Sequence, residues 1–282
     1  MAAAHSTVSD QANPQAFIGA LNFGHFVSNA TQDGISIGTL SGGVLDGNSS
    51  RLNGRHGFFI GSFTSGDLTN NTGSSNTGNG FQIDVLNTSI VDGRFSGNSA
   101  SNNTIGFNIG SVLGTPSISQ NSATNNTSDG FQIASLTSEL RMDNNVSSNN
   151  AGHGYNLPVI GSGFLTANTG NNNGGTGMLL AGIGTAFVTD GTFNGNGASG
   201  MILGDMTVGS VRNNTALNNI GNGISLGIVT NGTISDNTAS NNTGHGFDIV
   251  DFDFGTAENN TAETAAEHPV GFGFLGLRAP RG

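Results

Sequence analysis

A glycine followed by a short apolar triplet recurs ten times in this chain, at Gly34, Gly57, Gly80, Gly106, Gly130, Gly154, Gly177, Gly200, Gly223 and Gly246. The steps between these anchors are 23, 23, 26, 24, 24, 23, 23, 23 and 23 residues. A period of this size, held over ten units, restricts the chain to stacked repeats, because one unit is too short to bury an apolar face without its neighbours. Other columns keep the same phase. An apolar residue stands six after every anchor, from Leu40 to Phe252, and another stands twelve before the next anchor, from Leu45 to Ile234. Arg94 breaks the second column, and the adjacent Phe95 is expected to fill its place. Seven before the anchor the residue is small, as at Ser50, Ser99 and Ala123, with Phe193 the exception.

Within each unit the apolar positions after the glycine are spaced by two, as in Phe81 and Ile83, which is the periodicity of a strand. No segment carries an i, i+3, i+4, i+7 pattern, and frequent glycine opposes helix. Each unit therefore reads as two or three short strands joined by tight turns. Stacked parallel at about 4.8 Å per rung, ten or eleven such units make a rod about 50 Å long.

Two asparagine columns mark the turns. The first lies four before the anchor, at Asn53, Asn76, Asn102, Asn126, Asn150, Asn173, Asn196, Asn219 and Asn242. A second, partial one lies nine before it, at Asn48, Asn71, Asn121, Asn145, Asn168, Asn214 and Asn237. An asparagine at a turn tolerates left-handed backbone and bonds neighbouring backbone groups, and asparagines stacked in register bond one another. Both columns are expected to be structural ladders.

A coil such as NTASNNTGHGFDI, residues 237 to 249, resembles the right-handed parallel β-helix repeat proteins of the pectin-lyase-like superfamily, and the resemblance covers about residues 34 to 275. It implies an all-β, single-stranded right-handed parallel β-helix of 10–11 rungs of 23–26 residues, and the right-handed coil rests on the resemblance alone. It leaves function open, because that superfamily includes polysaccharide lyases, hydrolases and epimerases, tailspikes, adhesins and purely structural solenoids.

The expected organisation is an irregular N-terminal cap over residues 1–33, the helix proper over 34–268, and a degraded last rung with a C-terminal cap over 269–282. Residues 14–28, with Phe17, Ile18, Leu21, Phe23 and Phe26, are expected to lie over the open first coil. In the last rung Pro269 takes the anchor place, Val270, Phe272 and Leu275 fill inward positions, and Arg278, Pro280 and Arg281 discourage a further chain from adding on. The competing reading is that these apolar ends mediate end-to-end or lateral homo-assembly.

Charge narrows the partners. Seven arginines and no lysine stand against 18 acids, for a net charge of -11, which disfavours nucleic acid. The first fifteen residues lack a basic stretch leading into an apolar one, and no run approaches 18 apolar residues. Neither a leader nor membrane insertion is expected, so the export route for an extracellular or surface protein is not visible. The chain has no cysteine, hence no thiolate metal site. Asn-x-Ser/Thr triplets such as Asn29, Asn87 and Asn231 follow from composition and are not read as glycosylation sites.

Catalysis on stacked rungs needs reactive side chains in one column on adjacent rungs. One residue before the anchor, Asp33 with His56 and Asp129 with His153 are expected to be stacked neighbours, and Asp129 with His153 is the candidate acid–base pair. No nucleophile accompanies either pair, and the position is a polar turn in almost every unit. Two after the anchor, Gln82, Asn108, Gln132 and Asn156 form an outward amide stripe able to bond sugar hydroxyls or to remain solvated. The stripe lacks exposed Trp or Tyr, since the chain has no Trp and its single Tyr155 is expected to point inward. Asp248, Asp251 and Asp253, with Glu258 nearby, are candidate Ca²⁺ ligands, although the calcium-binding nonapeptide is absent. His56, His153 and His245 are several rungs apart, and Arg94, Arg141 and Arg212 build no arginine-plus-acid cluster. No cofactor is expected.

Even rungs with few insertions leave little material for a substrate cleft. The expectation is a non-enzymatic structural, adhesive or self-assembling solenoid whose partner is itself or a polysaccharide. The alternatives are a carbohydrate-binding or polysaccharide-modifying protein, and a fragment of a larger adhesin or tailspike.

Overall fold

The computed structural model describes residues 21–22, 24–263 and 273–274. They form an all-β parallel solenoid of about ten turns, in which every strand pair is parallel and the strands make three sheets. The anchor sheet holds the six-residue strands that follow each anchor glycine, from Ile35–Leu40 to Phe247–Phe252, plus Gly273–Phe274. The middle sheet runs from Leu21–Asn22 to Thr256–Glu258. The third sheet runs from Phe26–Ser28 to Thr169–Asn171 and continues as single bridges through Thr192, Thr215, Thr238 and Thr261.

The period-two pattern places alternate side chains inside. Strand Phe107–Val112 buries Phe107, Ile109 and Val112 and turns Asn108 and Ser111 outward. Like residues then stack. Phe58, Phe81, Phe107, Phe131 and Tyr155 form one interior column with centroid separations of 4.6, 4.9, 4.7 and 5.1 Å. Tyr155 points inward as expected, and its hydroxyl donates to the Asn145 carbonyl at 2.7 Å. Phe95 replaces Arg94 in its column, pairing with Leu68 and Ile118. Phe193, the large residue in a small column, stacks between Gly170 and Ala216, where neighbouring bulk is least.

The anchor glycine is a point of close approach. A Cβ on Gly80 would lie 2.8 Å from each of the Ala100 Cβ, the Asn103 Nδ2 and the Gly106 carbonyl. The glycine and the small residue across from it are thus one packing requirement, met at the corner where the third sheet turns into the anchor sheet.

Both asparagine columns are ladders. In the first, the Oδ1 of Asn150 accepts the backbone N–H of Asn126 at 3.0 Å and its Nδ2 at 2.8 Å, and Asn150 in turn bonds Asn173. The Asn150 Nδ2 also donates to the Ala123 carbonyl one rung away. Left-handed geometry belongs to the residue before each ladder asparagine, such as Asn125 (φ 56) and Asn149 (φ 58), so one turn residue reverses the chain and the next ties it to its neighbours.

The ladder corrects one position. Asn103, which is buried, bonds Asn76 and Asn126, whereas Asn102 is exposed with φ 57. Asn71 to Asn98 and Asn76 to Asn103 each span 27 residues, so the rung has four extra residues before its third strand and then lacks one before Gly106. The same shift puts Ala100, not Ser99, in the small inward column and supplies the missing Asn98 of the second ladder. That second ladder continues to Asn260 and is interrupted only at Gly191, whose N–H still donates to Asn214 at 2.9 Å.

At the N-terminal end the described residues 21–22 and 26–28 pair with the first rung edge to edge. Leu21 pairs with Leu45, and Phe26, Val27 and Ser28 pair with Ser49, Ser50 and Arg51. Pairing satisfies the open backbone groups of that rung, which a segment lying across it would leave bare. At the other end Phe274 aligns with Ile249, where an unbroken 23-residue phase would have placed Phe272. Phe17, Ile18, Phe23, Pro269, Val270, Phe272, Leu275, Arg278, Pro280 and Arg281 lie outside the described residues.

Replacing Asn103 by Ala leaves the Asn76 N–H without its acceptor and removes the Asn103 amide donor to the Gly73 carbonyl, and is expected to cost about 3 kcal/mol. Asn102→Gly, at a left-handed exposed turn, should change stability by less than about 0.5 kcal/mol. Urea unfolding of the two variants measures this difference.

Candidate functional site

The column one before the anchor forms a third ladder of opposite sense to the asparagine ladders. Here a side chain accepts a hydrogen bond from the backbone N–H one rung further on. Asp33 Oδ1 accepts from His56 N at 3.1 Å, and His56 Nδ1 accepts from Asn79 N at 3.0 Å. Asp129 Oδ1 accepts from His153 N at 2.7 Å, and His153 Nδ1 accepts from Thr176 N at 3.0 Å. Ser199 and Asn222 repeat the arrangement toward Asn222 and His245.

Asp129 and His153 are therefore stacked neighbours whose polar atoms serve the backbone. The second carboxylate oxygen of Asp129 accepts from the Asn156 amide at 2.9 Å. An imidazole whose Nδ1 accepts an N–H must be the neutral tautomer protonated at Nε2. Burial, first among its influences, holds the His56 pKa below its ordinary value; Asp33 opposes this, Arg55 adds to the lowering, and Asp84 opposes it.

The amide stripe is in place. Gln82, Asn108, Gln132 and Asn156 are Cα partners on successive strands of the anchor sheet, all half-buried on its outer face. Part of their capacity is spent internally, since Gln82 Oε1 accepts from Asn79 and Asn108, both at 2.8 Å. Asp248, Asp251 and Asp253 are not gathered. Asp248 accepts from Asn222 at 2.9 Å and Asp251 from the Phe252 N–H at 2.9 Å, and among the described residues no three His, Cys, Asp or Glu side chains are placed to hold a metal ion.

The outer face of the middle sheet carries a feature that the inward columns do not reveal. Phe164 and Phe187, 23 residues apart, stack with centroids 5.2 Å apart and planes within 9°. The Arg141 guanidinium covers the other face of Phe164 at 4.5 Å and pairs with Glu139 at 2.6 Å. Phe187 aligns with Ser210 on the next rung, so its second face stands over a small side chain, and the ring is 41% exposed. Beside it an open depression of about 650 Å³ is lined by Thr189, Asp190, Arg212, Asn213 and Asp236. Arg212 Nε lies 3.3 Å from Asp236, and hydrogen bonds from Asn259 and Ser235 hold the Asp236 carboxyl below its usual range. The sequence signal for this row is two phenylalanines one place before Leu165 and Val188 in the inward column.

A family model described as a right-handed β-helix region matches residues 159–274. Among solved structures, the A-module of the mannuronan C-5 epimerase AlgE4 of Azotobacter vinelandii is similar over 88% of this chain and 88% of that one, with a TM-score of 0.52 and 15% identity. The A-module of AlgE6 from the same organism is similar over 88% and 86%, with a TM-score of 0.42 and 15% identity. No curated protein matches the sequence. These likenesses are to the fold, a right-handed parallel β-helix.

The third ladder makes stability depend on pH. With the folded pKa of His56 below its unfolded value of about 6.5, the unfolded chain takes up the proton first. Stability is therefore full above that value and falls as pH drops through it toward the folded pKa. His56→Asn keeps an acceptor without a titrating group, as Asn222 does toward His245. Melting temperatures at pH 7.5 and 5.5 should differ less for His56→Asn than for the wild type.

Proposed function

We propose that this right-handed parallel β-helix is a non-enzymatic extracellular or cell-surface solenoid with an adhesive role, engaging its partner through the regular outer faces of its sheets. The observation that carries this reading is the use made of the column best placed for chemistry. Asp129, His153 and their counterparts hold the backbone of adjacent rungs, and a base fixed in that way is not free to move a proton between substrate atoms. The four residues added near 87–92 form the main departure from even rungs, so the faces stay unobstructed.

One observation favours a carbohydrate-binding role. An aromatic face open on one side, flanked by a cation and by carboxylate acceptors, is suited to a sugar: apolar C–H faces stack on the ring and hydroxyls bond the polar rim. Phe187 supplies the face, and Arg212, Asp190 and Asp236 supply the rim. The solved neighbours are named as polysaccharide-modifying enzymes, and at 15% identity that likeness carries the fold without the chemistry.

Affinity electrophoresis against a panel of soluble polysaccharides, with product analysis of the same mixtures, tests both parts. The expected result is retention on at least one polysaccharide without turnover, weakened about tenfold by Phe187→Ala through loss of about 1.4 kcal/mol of stacking. New products whose formation disappears in Asp129→Asn would overturn the non-enzymatic reading.

A further inference from the structure

The third sheet differs from the other two in what it shows to solvent. Its strands are three residues long with a buried centre and two outward ends, as in Thr72–Ser74, Ser122–Thr124 and Thr169–Asn171. One outward column becomes an unbroken run of threonines, Thr169, Thr192, Thr215, Thr238 and Thr261, each bridged directly to the next. The strands below it continue both columns mainly with serine and threonine, broken by Val146, and beside the threonine run the second column is Asn171, Asn194, Leu217 and Ser240. From Thr72 to Ser240 no outward position of this sheet is Asp, Glu, Arg or His. The other faces are charged over the same rungs, with Arg94, Arg141 and Arg212 on the middle sheet and Asp84 and Asp205 on the anchor sheet. Neutrality on a chain of net charge -11 is thus confined to one face.

The geometry of that face is a two-dimensional net. Rungs repeat at about 4.8 Å, and outward positions two residues apart along a strand are about 6.7 Å apart. The flanking asparagine ladders hold both corners of the strip in register, so the spacing persists from rung to rung. A hydroxyl both donates and accepts, so it fits either site of a hydrogen-bonded lattice. Threonine is stiff at χ1, so its hydroxyl and methyl are oriented before contact and little freedom is lost on binding. A charged group would instead keep a hydration shell of its own, which a fixed lattice of neutral water molecules does not accommodate.

We infer that the outer face of the third sheet binds the surface of ice crystals, with the threonine column as its centre. The occupant matches the face in being neutral and in offering hydrogen-bond donors and acceptors alike. This surface is separate from the Phe187 row on the middle sheet, and the inference stands whether or not that row binds sugar.

The test is the gap between melting and freezing temperatures of single ice crystals in solutions of the full chain, with crystal shape recorded in the gap. The expected result is a measurable gap with faceted crystals. It is lost in Thr192→Lys and in Thr215→Lys, and kept in Ser117→Lys on the middle sheet; circular dichroism melting confirms that each variant is folded, and two threonine variants guard against one failing to fold. Round crystals with no gap for the wild type would overturn the inference. So would a gap that survives both threonine variants, or a dimer in sedimentation that both variants dissociate, which would make the face an interface between copies of the chain.

Discussion

A side-chain amide at a buried turn has one carbonyl and one NH₂ to satisfy, and in this molecule the rung above and the rung below satisfy both. Asn126 illustrates the bond: its Oδ1 takes the Asn103 N–H, its N–H and Nδ2 give to Asn150, and its Nδ2 also reaches the Ala100 carbonyl. Burying such a group unpaired would cost about 1–3 kcal/mol, so every corner is stable only when its neighbours are in place. Register follows from this. A rung that arrived one residue early would turn its apolar set outward as well as break the ladder, and the rung that gains four residues and loses one keeps its pairing although its anchor step is 26 residues.

The same demand decides what remains for function. Polar residues that converge on adjacent rungs are the ones recruited to tie rungs together, and Asp129 and His153 are spent in that way. On the outer faces each column is free to vary. The middle sheet uses that freedom for aromatic and charged residues, the anchor sheet for amides, and the third sheet for hydroxyls. The interior is uniform and the three exteriors are distinct.

The fold was legible because the period is nearly constant and the inward columns are chemically uniform; Leu68, Phe95 and Ile118 can be aligned by eye and are aligned in space. Legibility failed where a gain of four residues and a loss of one fall in the same rung. Counting back from Gly106 selects Asn102, because the deletion of one residue lies between the ladder and the anchor, and only the hydrogen bonds of Asn103 reveal it. The partial rung at residues 21–28 was hidden for a different reason: Leu21 is 24 residues from its partner while Val27 is 23 from its own, and no anchor glycine or ladder asparagine marks the unit. For the candidate site, the stacking of Asp129 and His153 was readable from the column, but which backbone groups they serve was not. Phe164 and Phe187 were overlooked because outward positions vary freely, so a pair of like residues there carries no periodic signal.

Residue-resolved amide hydrogen exchange tests the central claim that side-chain ladders hold the rungs together. Turn amides that face water exchange fast, whereas the account requires the N–H groups of Asn76, Asn103, Asn126 and Asn150 to be bonded within the interior. The predicted result is protection of these turn amides equal to that of strand amides such as Ile109 and Ile133. Exchange at these four positions as fast as in the exposed loop at 87–92 would contradict it.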